Sequence, residues 1–168
     1  MKQQIIISGI GGQGVLFLTR FFAEAAMALE LEVITSEVHG MAMRGGTVIS
    51  HVKIGGFRSP LIRTGQGDVG LFLAEANLGV HLPFLSEKAA IFVNSQDKSL
   101  YPSIDALDIA RSRGLDPAAA NLILLGFAMK NHSFFCTVDT ARNVIKGMSK
   151  GVQAVSNIEA FETGYTAH

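Results

Sequence analysis

Cysteine is almost missing from this chain: among 168 residues there is one, Cys136. A single thiol rules out an internal disulfide, a thiolate-held iron–sulfur cluster and a zinc ribbon, so any redox centre serving this protein sits on another chain. Charge is scarce as well. Asp, Glu, Lys and Arg make up 17% of the residues, below the roughly 25% of ordinary soluble domains. The 14 basic residues cancel the 14 acidic ones. A neutral chain presents no broad electrostatic surface to nucleic acid or anionic lipid, and a charge-poor surface suits a subunit covered by partners. Long hydrophobic runs are also lacking. The longest mostly apolar stretch, Leu122 to Met129, falls far short of the ~20 residues that span a bilayer. The opening residues carry no charged, apolar and small-residue leader pattern, which predicts a cytoplasmic protein. Proline is limited to 4 residues against 18 glycines, so the glycines mark specific turns rather than linkers.

What is present is a core. Hydrophobic residues reach 48% and the mean hydropathy is +0.33, which excludes a disordered chain. The length and the lack of repeats or linkers predict one domain over residues 1–168. Gln4-Ile5-Ile6-Ile7 reads as a strand buried on both faces. Leu18, Phe22, Ala25 and Leu29 recur at helical spacing, with Arg20 and Glu24 one turn apart, predicting a helix over about residues 14–30. Glu32–Thr35 reads as the next strand, so the chain opens with a βαβ unit. The stretch EVHGMAMRGG, residues 37–46, has neither helical nor strand period and reads as a glycine-rich loop. Thr47–Ile54 is a strand with Val48, Val52 and Ile54 on one face, ended by Gly55-Gly56. Asp68–Leu73 and Ala89–Val93 are two further buried strands, joined by a helical stretch around Glu75–Leu85 that Pro83 interrupts. Asp116-Pro117 caps and opens another helix, and the last third reads as helical throughout. This order predicts a single three-layer α/β/α domain.

Two segments have the composition of sites. Gly9-Ile10-Gly11-Gly12-Gln13-Gly14 places G-x-G-x-x-G between a strand and a helix, where glycines let a ligand approach the backbone and the helix N-terminus favours an anion. The same glycines equally serve a tight turn with no ligand. Glu37, 23 residues after Gly14, is the one acidic residue placed to meet a ribose. The second segment gathers Glu37, His39, Arg44, Gly45 and Gly46 within ten residues. Its arginine offers permanent charge to an anion, or caps a helix or joins an internal ion pair. His39 and His51 lack metal-ligand spacing. Cys136 beside Phe134 and Phe135 reads as a buried structural thiol, and Ser8 and Ser50 lack a nucleophile elbow. The dispersed methionines read as packing or interface residues. No catalytic set and no metal site emerge.

Taken together, IIISGIGGQGVLFLTRFFAEAA, SEVHGMAMRGGTVISHVKIG and NLILLGFAM closely resemble the gamma-type subunit or domain of 2-oxoacid:ferredoxin oxidoreductases. EVHGMxxRGG followed by SHVKIG and SPLI looks most like the small (beta) subunit of the indolepyruvate branch. The resemblance implies a three-layer α/β unit inside an enzyme that decarboxylates a 2-oxoacid with thiamine diphosphate. Electrons pass through iron–sulfur clusters to ferredoxin, and the acyl group is captured on coenzyme A. It further implies that this chain binds none of these cofactors alone and that a larger partner subunit carries the first two. Gly9, Gly11, Gly12, Gln13 and Gly14 match the family's G-G-Q-G turn; Arg44, Gly45 and Gly46 match its R-G-G loop; Asn121 matches the asparagine of its N-x-x-x-L-G helix. The two glycine segments are expected to face the catalytic subunit, with Arg44 on an acidic partner group or a coenzyme A phosphate. The sequence departs from the family in being short, with little chain after Tyr165 and a compact stretch from Asp97 to Arg113. The isolated chain is expected to pair with itself through surface meant for a partner. Competing readings are a stand-alone NAD- or FAD-dependent oxidoreductase and a non-catalytic nucleotide sensor.

Overall fold

The computed structural model describes residues 1–40, 46–97 and 100–168. Strand β1, Gln3–Ile10, carries three isoleucines with no exposed surface. Ile5 and Ile7 point into the larger core cluster and Ile6 into a second one on the opposite face, so the run is apolar because both faces are covered. Helix α1, Val15–Ala28, buries Leu18, Phe21, Phe22, Ala25 and Ala26 against the sheet. It stops earlier than its apolar spacing predicts. Glu30 adopts a left-handed φ of 56°, and the N–H groups of Glu30 and Leu31 donate back to the carbonyls of Met27 at 3.0 Å and Ala26 at 2.9 Å. That pairing is a Schellman stop, which leaves Leu29 at the surface.

Strands β2 (Val33–His39), β3 (Thr47–Ile54), β4 (Gly67–Phe72), β5 (Leu85–Asn94) and β6 (Ser103–Ile104) complete one sheet in the order β2-β3-β1-β4-β5-β6. β1, β4, β5 and β6 run parallel, while β3 is antiparallel to both β1 and β2. The expected βαβ opening therefore needs correction. α1 does join two parallel strands, but β3 returns to lie between them. Burial explains the insertion: seven of the eight β3 residues are buried, whereas β2 is half-exposed to exposed along its length and takes the edge. The expected loop at residues 37–46 is corrected too, because β2 continues through His39. Glu37, Val38 and His39 pair with Ser50, Ile49 and Val48. No alternation marks that stretch because both of its faces meet solvent and pairing alone makes it a strand.

Helices α3 (Ala106–Ser112), α4 (Ala120–Asn131), α5 (Val138–Met148) and α6 (Gly151–Thr166) join α1 over one face of this mixed α/β fold. The other face has a thinner cover, drawn from Ile62 and from Leu78, Leu82 and Phe84. Those last three residues come from the stretch expected to be helical around Glu75–Leu85 and interrupted by Pro83. It breaks into a 3-10 turn, the four-residue α2 (Leu78–His81) and a second 3-10 turn holding Pro83, after which Leu85 opens β5. The Asp116-Pro117 start holds: Asp116 accepts from the Ala118 N–H at 2.8 Å, through a 3-10 turn that leads into α4. β6 and α3, with Asp105 accepting from the Asp108 N–H at 3.0 Å, fill the stretch that sequence patterning leaves blank. α4 and α6 touch backbone to backbone, since a Cβ on Gly126 would strike the Phe161 carbonyl and one on Gly164 the Ile123 carbonyl.

Candidate functional site

The glycine segment sits where β1 ends and α1 begins. Gly12 and Gly14 hold φ of 92° and 87°, a region open to glycine and costly for side chains. Gln13 locks the turn from inside. Its Oε1 accepts from the Ile10 N–H at 2.8 Å, and its Nε2 donates to the Leu73 carbonyl at 3.4 Å. Asn121 of α4 locks it from outside, donating through Nδ2 to the Gly14 carbonyl at 3.3 Å while its Oδ1 accepts from the Leu122 N–H at 2.7 Å. A Cβ on Gly14 would collide with that Asn121 amide. Gln13 and Asn121 are thus positioning residues of the turn. Gly9 still belongs to β1, with Val15 and Leu73 packed where a Cβ would be.

The turn and the β2–β3 end are joined. Gly11 donates to the Gly46 carbonyl at 2.9 Å, and Gly40 donates to the Thr47 carbonyl at 2.6 Å. Between them lies a cleft of about 650 Å³ lined by Gly11, Gly12, Gly14, His39, Gly40 and Gly46, with Ile10, Val15, Leu16 and Val48 beside them. One large apolar side chain of its lining is left out: Leu16 at the start of α1 is 49% exposed. The first N–H groups of α1 have no partner within the helix, so the cleft floor offers donors and a partial positive charge. The structure therefore brings five of the expected residues to one place: Gly11, Gly12, Gly14, His39 and Gly46. Glu37 is exposed on the edge strand and does not line the cleft. Arg44 and Gly45 lie outside the described residues.

The displacement of Glu37 decides against the dinucleotide arrangement. A ribose-binding acid has to end the strand next to β1, and here β3 fills that place. Two strand spacings of roughly 4.8 Å separate β2 from β1.

A buried polar set that sequence reasoning missed lies under the opposite face of the sheet. Ser8 Oγ and His81 Nδ1 are 2.6 Å apart, and Asn77 Nδ2 donates both to Ser8 Oγ at 3.0 Å and to the Gly9 carbonyl at 2.8 Å. Either partner of the Ser8–His81 bond can be the donor, depending on the imidazole tautomer. His51 Nδ1 accepts from the Ile62 N–H at 3.1 Å. Burial pushes both imidazoles below the usual histidine range, and for His51 the charges of His81 and Lys53 push the same way. Ser8 has no exposed surface, so this pair anchors the end of β1 and attacks nothing. Ser8 and His51, isolated polar residues in apolar strands, were its only sequence signal. Cys136 is buried, which raises its thiol to about 11. Among the described residues no three His, Cys, Asp or Glu side chains gather as metal ligands, and no helix is long and apolar enough to cross a membrane.

Comparison with known proteins gives this geometry a context. The sequence model of the pyruvate ferredoxin/flavodoxin oxidoreductase family matches residues 4–167. The chain is similar to indolepyruvate oxidoreductase subunit IorB of Archaeoglobus fulgidus, with 30% identity across 98% of this chain and 94% of that one. Its fold is similar to that of pyruvate oxidoreductase subunit PORC of Thermotoga maritima, with a TM-score of 0.80 at 22% identity, covering 98% of this chain and 95% of that one. A similar fold occurs in 2-oxoglutarate:ferredoxin oxidoreductase from Magnetococcus marinus, solved with 2-oxoglutarate, coenzyme A and succinyl-CoA bound; the TM-score is 0.74 at 21% identity, over 97% of this chain and 30% of that one. The chain belongs to the pyruvate ferredoxin/flavodoxin oxidoreductase family.

Proposed function

We propose that this chain is the small, non-catalytic subunit of a 2-oxoacid:ferredoxin oxidoreductase whose substrate is an aryl pyruvate, indolepyruvate above all. Family membership carries the coarser half: the chain is an oxidoreductase subunit of the 2-oxoacid:ferredoxin type. The likeness to the Archaeoglobus indolepyruvate subunit across nearly all of both chains supports the finer half. One structural observation carries the subunit role. The cleft between the glycine turn and the β2–β3 end is lined by exposed Leu16 and, among its described lining residues, has His39 and Thr47 but no carboxylate or thiol to complete a catalytic set.

In enzymes of this type thiamine diphosphate supplies decarboxylation and iron–sulfur clusters carry electrons toward ferredoxin. The described residues of this chain do not fit a cluster, because its one thiol is buried and held protonated. A larger catalytic subunit would hold both groups, and ferredoxin would reach this chain only through the complex. Here the chain's own contribution is to dock and to present donors. The N–H groups at the start of α1 suit the phosphates of coenzyme A, and Arg44, which follows β2 in sequence, would add a permanent cation. Glu37, His39, Gly45 and Gly46 would face the catalytic subunit. Without that subunit the exposed apolar residues favour self-pairing into a dimer, and the compartment is the cytoplasm.

Anaerobic affinity purification of the tagged chain from its host tests this reading. A large iron–sulfur partner and indolepyruvate-dependent viologen reduction with coenzyme A are expected. Reduction with pyruvate or 2-oxoglutarate alone would change the substrate, and a chain that elutes without a partner would overturn the subunit role. Arg44→Ala in the assembled complex should weaken assembly or raise the KM for coenzyme A; unchanged assembly and kinetics would remove the role given to Arg44.

A further inference from the structure

A second depression lies on the other side of the same glycine turn. Gly12 after β1, Leu73 after β4 and Asn94 at the end of β5 form one wall; Leu107 and Arg111 of α3 and Ala118 before α4 form the other. Its volume of about 300 Å³ stands at the small end of ligand sites. Topology puts it at a special place. From β1 the chain leaves through α1 toward β2 on one side, and from β4 it leaves through residues 73–84 toward β5 on the other, although β1 and β4 are parallel neighbours. Connections that part in opposite directions open a crevice at the carboxyl ends of the two strands, where α/β sheets hold their ligands.

The chemistry of the walls narrows the ligand. Both amides at the rim are anchored in the structure, each through its oxygen and one N–H. Gln13 is committed to Ile10 and Leu73, and Asn94 donates to the Leu73 carbonyl at 3.2 Å and accepts from the Ala106 N–H at 2.9 Å. Arg111 is the one charged side chain of the lining, and among the described residues no carboxylate lies within ion-pair distance of it. Leu73, Leu107 and Ala118 make the remaining side-chain surface apolar. At Gly12 a Cβ would meet nothing within 4 Å, so the backbone there is uncovered. One guanidinium against apolar walls matches one carboxylate on an apolar body. A phosphate dianion would bring more negative charge than the one guanidinium of the crevice neutralises.

We propose that this crevice binds a small amphipathic carboxylate, with Arg111 forking the carboxylate and the leucine and alanine side chains covering its hydrocarbon. The site needs neither the partner subunit nor the enzymatic reading above. Amide NMR titration of the full chain tests it with three probes: phenylacetate, benzyl alcohol and inorganic phosphate. Phenylacetate should shift Gly12, Leu73, Asn94, Arg111 and Ala118 saturably, and bind about tenfold or more tighter than either other probe, the factor expected of a charged hydrogen bond. Arg111→Ala should remove that advantage and leave benzyl alcohol unaffected, and Arg111→Lys should restore part of it. Ala118→Phe, a change at an exposed position, should fill the crevice and abolish phenylacetate shifts with the amide spectrum otherwise intact. Shifts elsewhere on the surface, an equal response to phosphate, or phenylacetate binding unchanged by Arg111→Ala would each overturn the proposal.

Discussion

The side-chain amide of Asn121, in the first turn of α4, donates to the backbone carbonyl of Gly14, 107 residues earlier and just ahead of α1. The bond ties the two helices together at the point where the candidate cleft is built. Gly14→Ala meets two penalties, a left-handed φ of 87° and a collision with that amide. A loss of about 1–3 kcal/mol is expected from backbone strain of this kind, together with a shift of the turn. Thermal unfolding of Gly14→Ala and Asn121→Ala checks it. A Gly14→Ala melting temperature equal to that of the parent would show the turn is not held as described.

Glycines in the C-terminal helices should respond with opposite signs. Gly164 of α6 has the Ile123 carbonyl where a Cβ would go, whereas Gly147 of α5 has nothing within 4 Å. Gly164→Ala should destabilise by about 1–3 kcal/mol through overpacking, roughly 2–4 °C of melting temperature per kcal/mol for a chain of this size. Gly147→Ala should stabilise by about 0.5–1 kcal/mol through helix propensity. Calorimetry on the two variants separates the cases, and equal signs would contradict the backbone contact between α4 and α6.

Acid should weaken the fold through His51 and His81. Both are buried; His51 accepts at Nδ1 from the Ile62 N–H, a donor that cannot reverse, and His81 Nδ1 is paired with the Ser8 hydroxyl. Their folded-state pKa values lie below the unfolded value of 6.5. The folded state therefore binds fewer protons. Stability is complete above the unfolded value and is lost as pH falls through 6.5 toward the lowered values. Urea midpoints should be level from about pH 7.5 upward and decline below about pH 6.5, the ordinary histidine value. His51→Ala should lower the plateau and flatten the decline; an unchanged slope would remove His51 from the effect.

Cys136 should ignore thiol reagents. It is buried and its thiol is pushed up to about 11, which leaves little thiolate at neutral pH. Titration with a chromogenic disulfide at pH 8 should show no reaction in the native chain and one equivalent in urea. Rapid native reaction would contradict its burial.

Much of the site was legible without coordinates, because glycines between a strand and a helix report a local backbone need that the tertiary fold did not alter. Gly12 and Gly14 are left-handed as that reading requires. Gln13 and Asn121 match family positions in sequence, yet their work is visible only through partners 60 and 107 residues away. Ser8, Asn77 and His81 were illegible for the same reason. Each is one polar residue in an unremarkable stretch, and their meeting depends on the packing of the 75–84 turns beneath β1.

By itself the sequence determined the α/β class, the turn that opens α1, the lack of cluster ligands and the family. These follow from local periodicity, residue chemistry and ordered motifs. The tertiary structure alone decided the strand order. β1 and β2 are joined by a helix and are parallel, yet β3 lies between them because it can be buried on both faces and β2 cannot. That choice sends Glu37 to the sheet edge, leaves the glycine turn facing the β2–β3 end, and opens the crevice where β1 and β4 part. Strand order is a contest over which segment loses least by being covered, and only the assembled sheet settles it.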